Sequence, residues 1–197
     1  MHLILFNIQW MSFNVFLAVI AVIFGWLMVK TPSKFLKIFY GSIWFVFLPN
    51  TIYLLTDIGH FFVAWPRVPL SDKGIFISEY AILMIIGAIS FILGLYPIEQ
   101  FFRKTKNKRK QIKKDIFIYG TNFLIGFGLV LGRIERVNSW DVLTNTSAVV
   151  YKSLHTITSI QLSLLVIFFG LLSNLVYFTL RDFIVNTLFT RPFSSTK

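Results

Sequence analysis

The chain has no cysteine, which excludes disulfides, thiolate zinc sites, iron–sulfur clusters and cysteine nucleophiles together. Charge is scarce as well: 14% of its 197 residues are charged, against about 25% in an ordinary soluble domain. Acids are the rarer sign, eight Asp and Glu against 19 Lys and Arg, and histidine occurs three times. A metal could be held only by His, Asp or Glu, and few of those are available. What the chain has instead is apolar surface, with 56% hydrophobic residues, and 23 of its residues are Phe. Five apolar stretches take up more than half of it and leave no room between them for a soluble catalytic domain.

A spanning helix needs about 20 mostly apolar residues. That length predicts an all-α fold, an integral membrane bundle of five transmembrane helices at about 8–29, 35–58, 75–96, 116–132 and 157–180. Together they make one transmembrane domain over residues 1–197. The first stretch reads as an anchor rather than a signal peptide, because no basic segment precedes it and no small-x-small cleavage site lies ahead of Lys30. Outer connections are expected at about 61–74 and 133–156, and a basic loop at about 97–115. Divided this way, one side of the membrane holds 14 Lys and Arg and the other 5. The positive-inside rule puts the richer side in the cytoplasm, so the N-terminus is outside and the C-terminus inside. The run from Arg103 to Lys114 is then a topology signal that touches anionic lipid headgroups, at about 1 kcal/mol per basic residue, and not a nucleic-acid site. Trp10, Trp65 and Trp140 fall on the outer side, where indoles favour the headgroup layer. The stiff segment Trp65-Pro66-Arg67-Val68-Pro69 beside them is an interfacial loop or a lid. Asn145-Thr146-Ser147 has the form of a glycosylation sequon.

The polar residues gather on one face. In the second helix Asn50, Tyr53, Asp57 and His60 fall within about 80° of arc if the helix persists that far. Pro49, just ahead of them, removes an internal hydrogen bond and kinks the helix. Topology brings Glu79, Arg133, Arg136, Asn138, Asp141 and His155 to the same membrane surface. Gly128 and Gly132, four residues apart, allow close backbone approach and draw Arg133 inward.

The stretch Leu48-Pro49-Asn50-x-x-Tyr53-x-x-Thr56-Asp57 occurs together with Gly132-Arg133-x-x-Arg136-x-Asn138-Ser139-Trp140-Asp141. In both motifs and in hydrophobic profile the chain resembles the bacterial membrane-protein family known as domain of unknown function 1361. The resemblance implies a multi-pass protein of the bacterial inner membrane. It brings no activity and no catalytic residues with it.

Three function classes stand open on these residues. In the first, the polar cluster is a site for an anionic lipid or cell-envelope intermediate. His60, His155 and Asp57 are its candidate catalytic groups, and with Glu79 they form a candidate ligand set for a divalent metal such as zinc. A metal-bound water would there be a nucleophile at neutral pH. Asn50, Tyr53, Asn138 and Asp141 would contact the substrate, while Arg133 and Arg136 clamp its anion. No His-x-x-x-His motif is present, so those ligands would converge from separate segments. Ser139 and Ser71 have no adjacent histidine in sequence. In the second class the chain is a small-solute or lipid transporter with Asn122 or Asn174 as midplane polar groups. The central turns of all five helices carry no ionisable residue, against the usual pattern of coupled carriers. In the third class the chain is an accessory subunit, and the cluster is a hydrogen-bonding network that satisfies charges near helix ends.

Overall fold

The computed structural model describes residues 2–102 and 108–189. Helix α1 (His2–Lys30) is unbroken. Pro32 cannot extend it, and Ser33 starts the next helix by accepting the Leu36 N–H at 3.4 Å.

The second span is broken twice, into α2 (Lys34–Phe47), α3 (Pro49–Thr56) and α4 (Ile58–Ala64). Pro49 has no N–H and sits at the first position of α3, where none is needed. The Thr51 hydroxyl donates to the Leu48 carbonyl at 2.7 Å on the other side of that break. At the second break the His60 N–H reaches only three residues back, to the Asp57 carbonyl at 2.9 Å, a tightened turn. The helix expected to end near 58 therefore continues to Ala64, in segments, and closes with a 3-10 turn at Trp65–Arg67.

After a second 3-10 turn, Leu70–Asp72, helix α5 (Lys73–Phe102) runs past its expected end at 96 with Pro97 inside it. The Trp44 indole N–H donates to the Gly94 carbonyl at 2.8 Å in the turn below that proline. Helix α6 (Lys108–Arg133) likewise begins before its expected start. The basic loop read at 97–115 is thus mostly helical flank, and Arg103, Lys104 and Lys106 lie outside the described residues.

The outer connection at 133–156 is not a loop. It holds α7 (Asp141–Thr144) and α8 (Thr146–Thr158), and α9 (Ile160–Phe189) follows after a break at Ser159. Asn145, the sequon residue, caps α8 by accepting the Ala148 N–H at 3.4 Å. The helix is rich in Thr and Val, poor formers in isolation, so its sequence reads as a connection. Val150, Leu154 and Ile157 share one exposed face at helical spacing, the pattern of a helix lying in the membrane interface.

Among the described residues five segments are long and apolar enough to cross a membrane: Asn7–Lys30, Lys34–Arg67, Leu70–Phe102, Gln111–Arg133 and Ile160–Phe189. The chain is a helical membrane protein with five such helices. Segment α3 lies at the centre and packs on α1, α5 and α6. Its Pro49 ring fills the notch at Gly128, where a Cβ would stand 2.4 Å from the proline Cγ. Helices α6 and α9 meet backbone to backbone: a Cβ on Gly126 would lie 2.6 Å from the Gly170 backbone nitrogen. In that interface the Asn122 amide donates to the Asn174 carbonyl oxygen at 2.9 Å, and Asn174 donates to the Gly170 carbonyl at 2.9 Å. Both asparagines are buried between helices, a packing hydrogen bond of the kind common in membranes. Leu48, Ile52, Phe91, Leu95, Ile125 and Leu129 complete the main core around them.

Candidate functional site

The breaks in the second span position the site. Asp57, at the joint between α3 and α4, is 0% exposed. Arg133, the last residue of α6, reaches it: Nη1 lies 3.3 Å from Asp57 Oδ1 and donates to the Thr56 hydroxyl at 2.8 Å. The guanidinium carbon also stands 5.2 Å from the centre of the Tyr53 ring. One arginine thus holds three residues of the broken helix by an ion pair, a hydrogen bond and a cation–π contact. Asp57 Oδ2 has no hydrogen-bond partner. Asn14 of α1 stands beside the carboxylate.

A cavity of about 400 Å³ opens next to this pair, between α1, α3, α6 and α8. Phe13, Leu17, Phe45, Leu124 and Phe127 make its apolar wall. Asn14, Asn50, Tyr53, Asn138, Ser139 and Ser153 contribute its polar groups. Asn50 donates to Ser139 Oγ at 3.0 Å, and Ser139 donates to the Val46 carbonyl at 3.4 Å. The second motif is thereby pinned to the first. No charged side chain lines this cavity.

A second cavity, of about 340 Å³, lies on the other side of Tyr53, the one residue that lines both. Asn7, Trp10, His60 and Tyr80 surround it with the exposed Arg67. The polar stripe expected from Asn50 to His60 is therefore real but divided. Asn50 and Tyr53 face the larger cavity, Tyr53 and His60 the smaller, and the break at Asp57 turns that carboxylate into the protein.

The remaining candidates are placed differently from expectation. Asp141 accepts the Asn138 backbone N–H at 2.7 Å and its side-chain amide at 3.3 Å, closing a turn. His155 pairs with Glu135 at 2.9 Å and its side chain is 54% exposed. Lys152 donates to the Glu135 carbonyl at 2.6 Å, so Glu135 ties α8 to the preceding turn. Arg136 stands at that turn with φ 54°, and the Val137 N–H folds back onto the Leu131 carbonyl at 2.9 Å. Among the described residues no three His, Asp or Glu side chains are grouped so as to hold a metal. His60, His155, Asp57 and Glu79, offered above as ligands, are not brought together: Asp57 takes a cation as partner, His155 takes Glu135, and His60 packs edge-on against Trp10 at 5.6 Å. The residues present do not make the zinc site expected from them. Ser71 spends its hydroxyl on neighbouring Asp72 at 3.0 Å.

Sequence reasoning missed a cluster at the opposite end of the bundle. Glu99, read as a loop residue, is buried on α5 and accepts from the Tyr177 hydroxyl and from both Nε and Nη2 of Arg181 on α9. It also missed Asn7 and Asn14, seven residues apart on α1 and so on one face. That spacing in an apolar helix was the available signal.

No curated protein and no solved structure matches the chain. The family profile described as Protein of unknown function (DUF1361) matches residues 13–176, a span that takes in both motifs, both breaks of the second span, the Asp57–Arg133 pair and the Asn122–Asn174 pair. The chain belongs to that family.

Proposed function

We propose that this protein binds a lipid-like amphiphile in the larger cavity, at the outer face of a bacterial cell membrane. The single observation that carries this reading is the composition of the cavity wall. Phe and Leu side chains cover the part between α1, α2 and α6, and amides and hydroxyls from Asn14, Asn50, Tyr53, Asn138 and Ser139 cover the rest. Such a wall suits a molecule with an acyl or isoprenoid chain and a hydrogen-bonding head. The orientation rests on the uneven distribution of Lys and Arg, which places the motif end outside.

Two details of the earlier expectation change. Arg133 is spent on Asp57, Thr56 and Tyr53, and neither it nor Arg136 lines the cavity, so the ligand's head is held by amides and hydroxyls rather than by an arginine clamp. Hydrolysis has little support, since no His, Asp or Glu lines the cavity beside Ser139 to act as its base. Binding without turnover, or presentation of the ligand to a partner enzyme, is the reading the geometry favours.

Mass spectrometry of lipids that co-purify with the protein in mild detergent tests this. The wild type retains a defined amphiphile, and Ser153→Phe, which fills the cavity from α8, loses it with an unchanged melting temperature. Equal lipid profiles for the two proteins would refute the proposal.

A further inference from the structure

The polar residues of the larger cavity differ in what they have left to offer a ligand. The Asn50 amide nitrogen donates to the Phe47 carbonyl and to Ser139 Oγ, each at 3.0 Å. A carbonyl can only accept, so the orientation of that amide is fixed, and its remaining group is its own carbonyl oxygen. Asn138 is turned by the same logic: its amide nitrogen donates to Asp141 Oδ2 at 3.3 Å, and its oxygen faces away from that carboxylate. Asn14 stands beside the Asp57 carboxylate, another acceptor that draws an amide nitrogen. Ser139 gives its one proton to the Val46 carbonyl. These four residues all line the cavity, and what they hold in reserve is chiefly acceptor oxygen.

Charge is the second constraint. No charged side chain lines the cavity, and Arg133 nearby is held by Asp57 and Thr56. A phosphate brought here would lose its water, find no cation, and meet oxygens that accept as it does. An ammonium would find acceptors but no carboxylate. A hydroxyl is donor and acceptor at once, so it suits the asparagine oxygens and the hydroxyls of Tyr53 and Ser153 without burying charge. Phe13, Phe45 and Leu124 line the same cavity and are about half exposed. The apolar part of the wall therefore reaches the lipid-facing surface, where an acyl chain continues into the bilayer.

We propose that the larger cavity selects an uncharged lipid whose head carries free hydroxyls, a glycerol alcohol or a sugar, over a phospholipid. This rests on the amphiphile reading above and specifies its head group.

The test is native mass spectrometry of the full-length protein in lauryldimethylamine oxide. Its head has no O–H or N–H, whereas that of dodecylmaltoside is itself a sugar. Dioleoylglycerol, its glucoside, its methyl ether and dioleoylphosphatidylglycerol are titrated in turn, so that the acyl chains stay constant. The wild type is expected to bind the better of the first two roughly tenfold or more tightly than phosphatidylglycerol, which has hydroxyls but also a phosphate. The methyl ether, which lacks the donor, is expected to bind several-fold more weakly than dioleoylglycerol. Tighter binding of the glucoside identifies a sugar head, and equal binding of the two identifies the single alcohol as sufficient. Ser153→Phe is expected to bind none of the four; should it fail to fold, Val142→Trp at an exposed lining position replaces it. If the wild type binds phosphatidylglycerol or the methyl ether as tightly as the hydroxylated lipids and the filled variant binds none, the proposal is overturned and the amphiphile reading stands. Equal binding of every lipid by the wild type and the filled variant overturns both.

Discussion

Arg133→Met tests whether the Asp57–Arg133 pair organises its end of the bundle. Methionine keeps the length of the side chain and removes its charge and donors. The variant loses the contact at 3.3 Å to Asp57, the hydrogen bond at 2.8 Å to Thr56 and the cation–π contact to Tyr53. More important is what it leaves behind. Asp57 is 0% exposed and one of its oxygens already has no partner, so the charge cannot turn to water. Removing one partner of a buried pair costs about 3–5 kcal/mol, most of it the uncompensated charge. The double variant Asp57→Leu/Arg133→Met removes both charges and is expected to return to within about 1 kcal/mol of wild type, as apolar replacements of buried pairs do. Equilibrium unfolding in mixed micelles of dodecylmaltoside and dodecyl sulfate, followed by circular dichroism, measures both. A loss below about 1 kcal/mol for Arg133→Met, the scale of a surface ion pair, would refute the reasoning. So would a double variant no more stable than the single one.

Three further outcomes follow from packing. Gly126→Ala is expected to cost about 1–3 kcal/mol, since its Cβ would meet the Gly170 backbone at 2.6 Å. Gly120→Ala on the same helix meets nothing within 4 Å and is expected to gain about 0.5–1 kcal/mol; thermal melts of the two check the contrast. Arg136→Gly is expected to stabilise by about 1 kcal/mol, because Arg136 holds φ 54° against the preference of an L-residue. A melting temperature that stays or falls would mean that the arginine's charge matters more than its backbone. Glu135→Ala removes the His155 contact and leaves the Lys152 bond to the backbone carbonyl. It is expected to cost about 0.2–1 kcal/mol and to speed amide hydrogen exchange in residues 146–158 while sparing α6; exchange mass spectrometry reads this directly.

The membrane class and the five helices were legible in the sequence because bilayer thickness acts on composition alone. Helix ends were less so. Apolar length stops at 96, yet Glu99 stays inside the bundle because Tyr177 and Arg181 come from another helix to satisfy it, and no local pattern announces a partner some 80 residues away. Helix α8 was hidden because its stability comes from Glu135 and the interface rather than from its own Thr and Val. The polar stripe of the second span was legible as a spacing, and Pro49 as a break. The second break at Asp57 was not, since no proline marks it, Gly59 in its turn is one isolated glycine among several in the chain, and the break arises where Arg133 draws the carboxylate inward. The metal reading failed for a related reason. Spacing shows which side chains share a membrane surface, and it does not show which partner each one takes.

The two ends of the bundle each bury an acid against an arginine, and their difference separates scaffold from site. At the Glu99 end every carboxylate oxygen is engaged, by Tyr177 and by the fork of Arg181. A buried acid completed in this way holds α5 to α9 and has no capacity left for a ligand. At the Asp57 end the accounts do not close. Asp57 Oδ2, both oxygens of Glu79 and the side-chain nitrogen of Asn7 lack partners, and the two cavities meet at Tyr53 beside them. Unsatisfied buried groups are expensive, and a packed membrane core has no water to repair them. Neither Asp57 nor Glu79 lines a cavity, so Asn14 beside the first and Asn7 beside the second are the groups that complete them, and it is the cavity walls meeting at Tyr53, rather than these acids, that are open to a ligand.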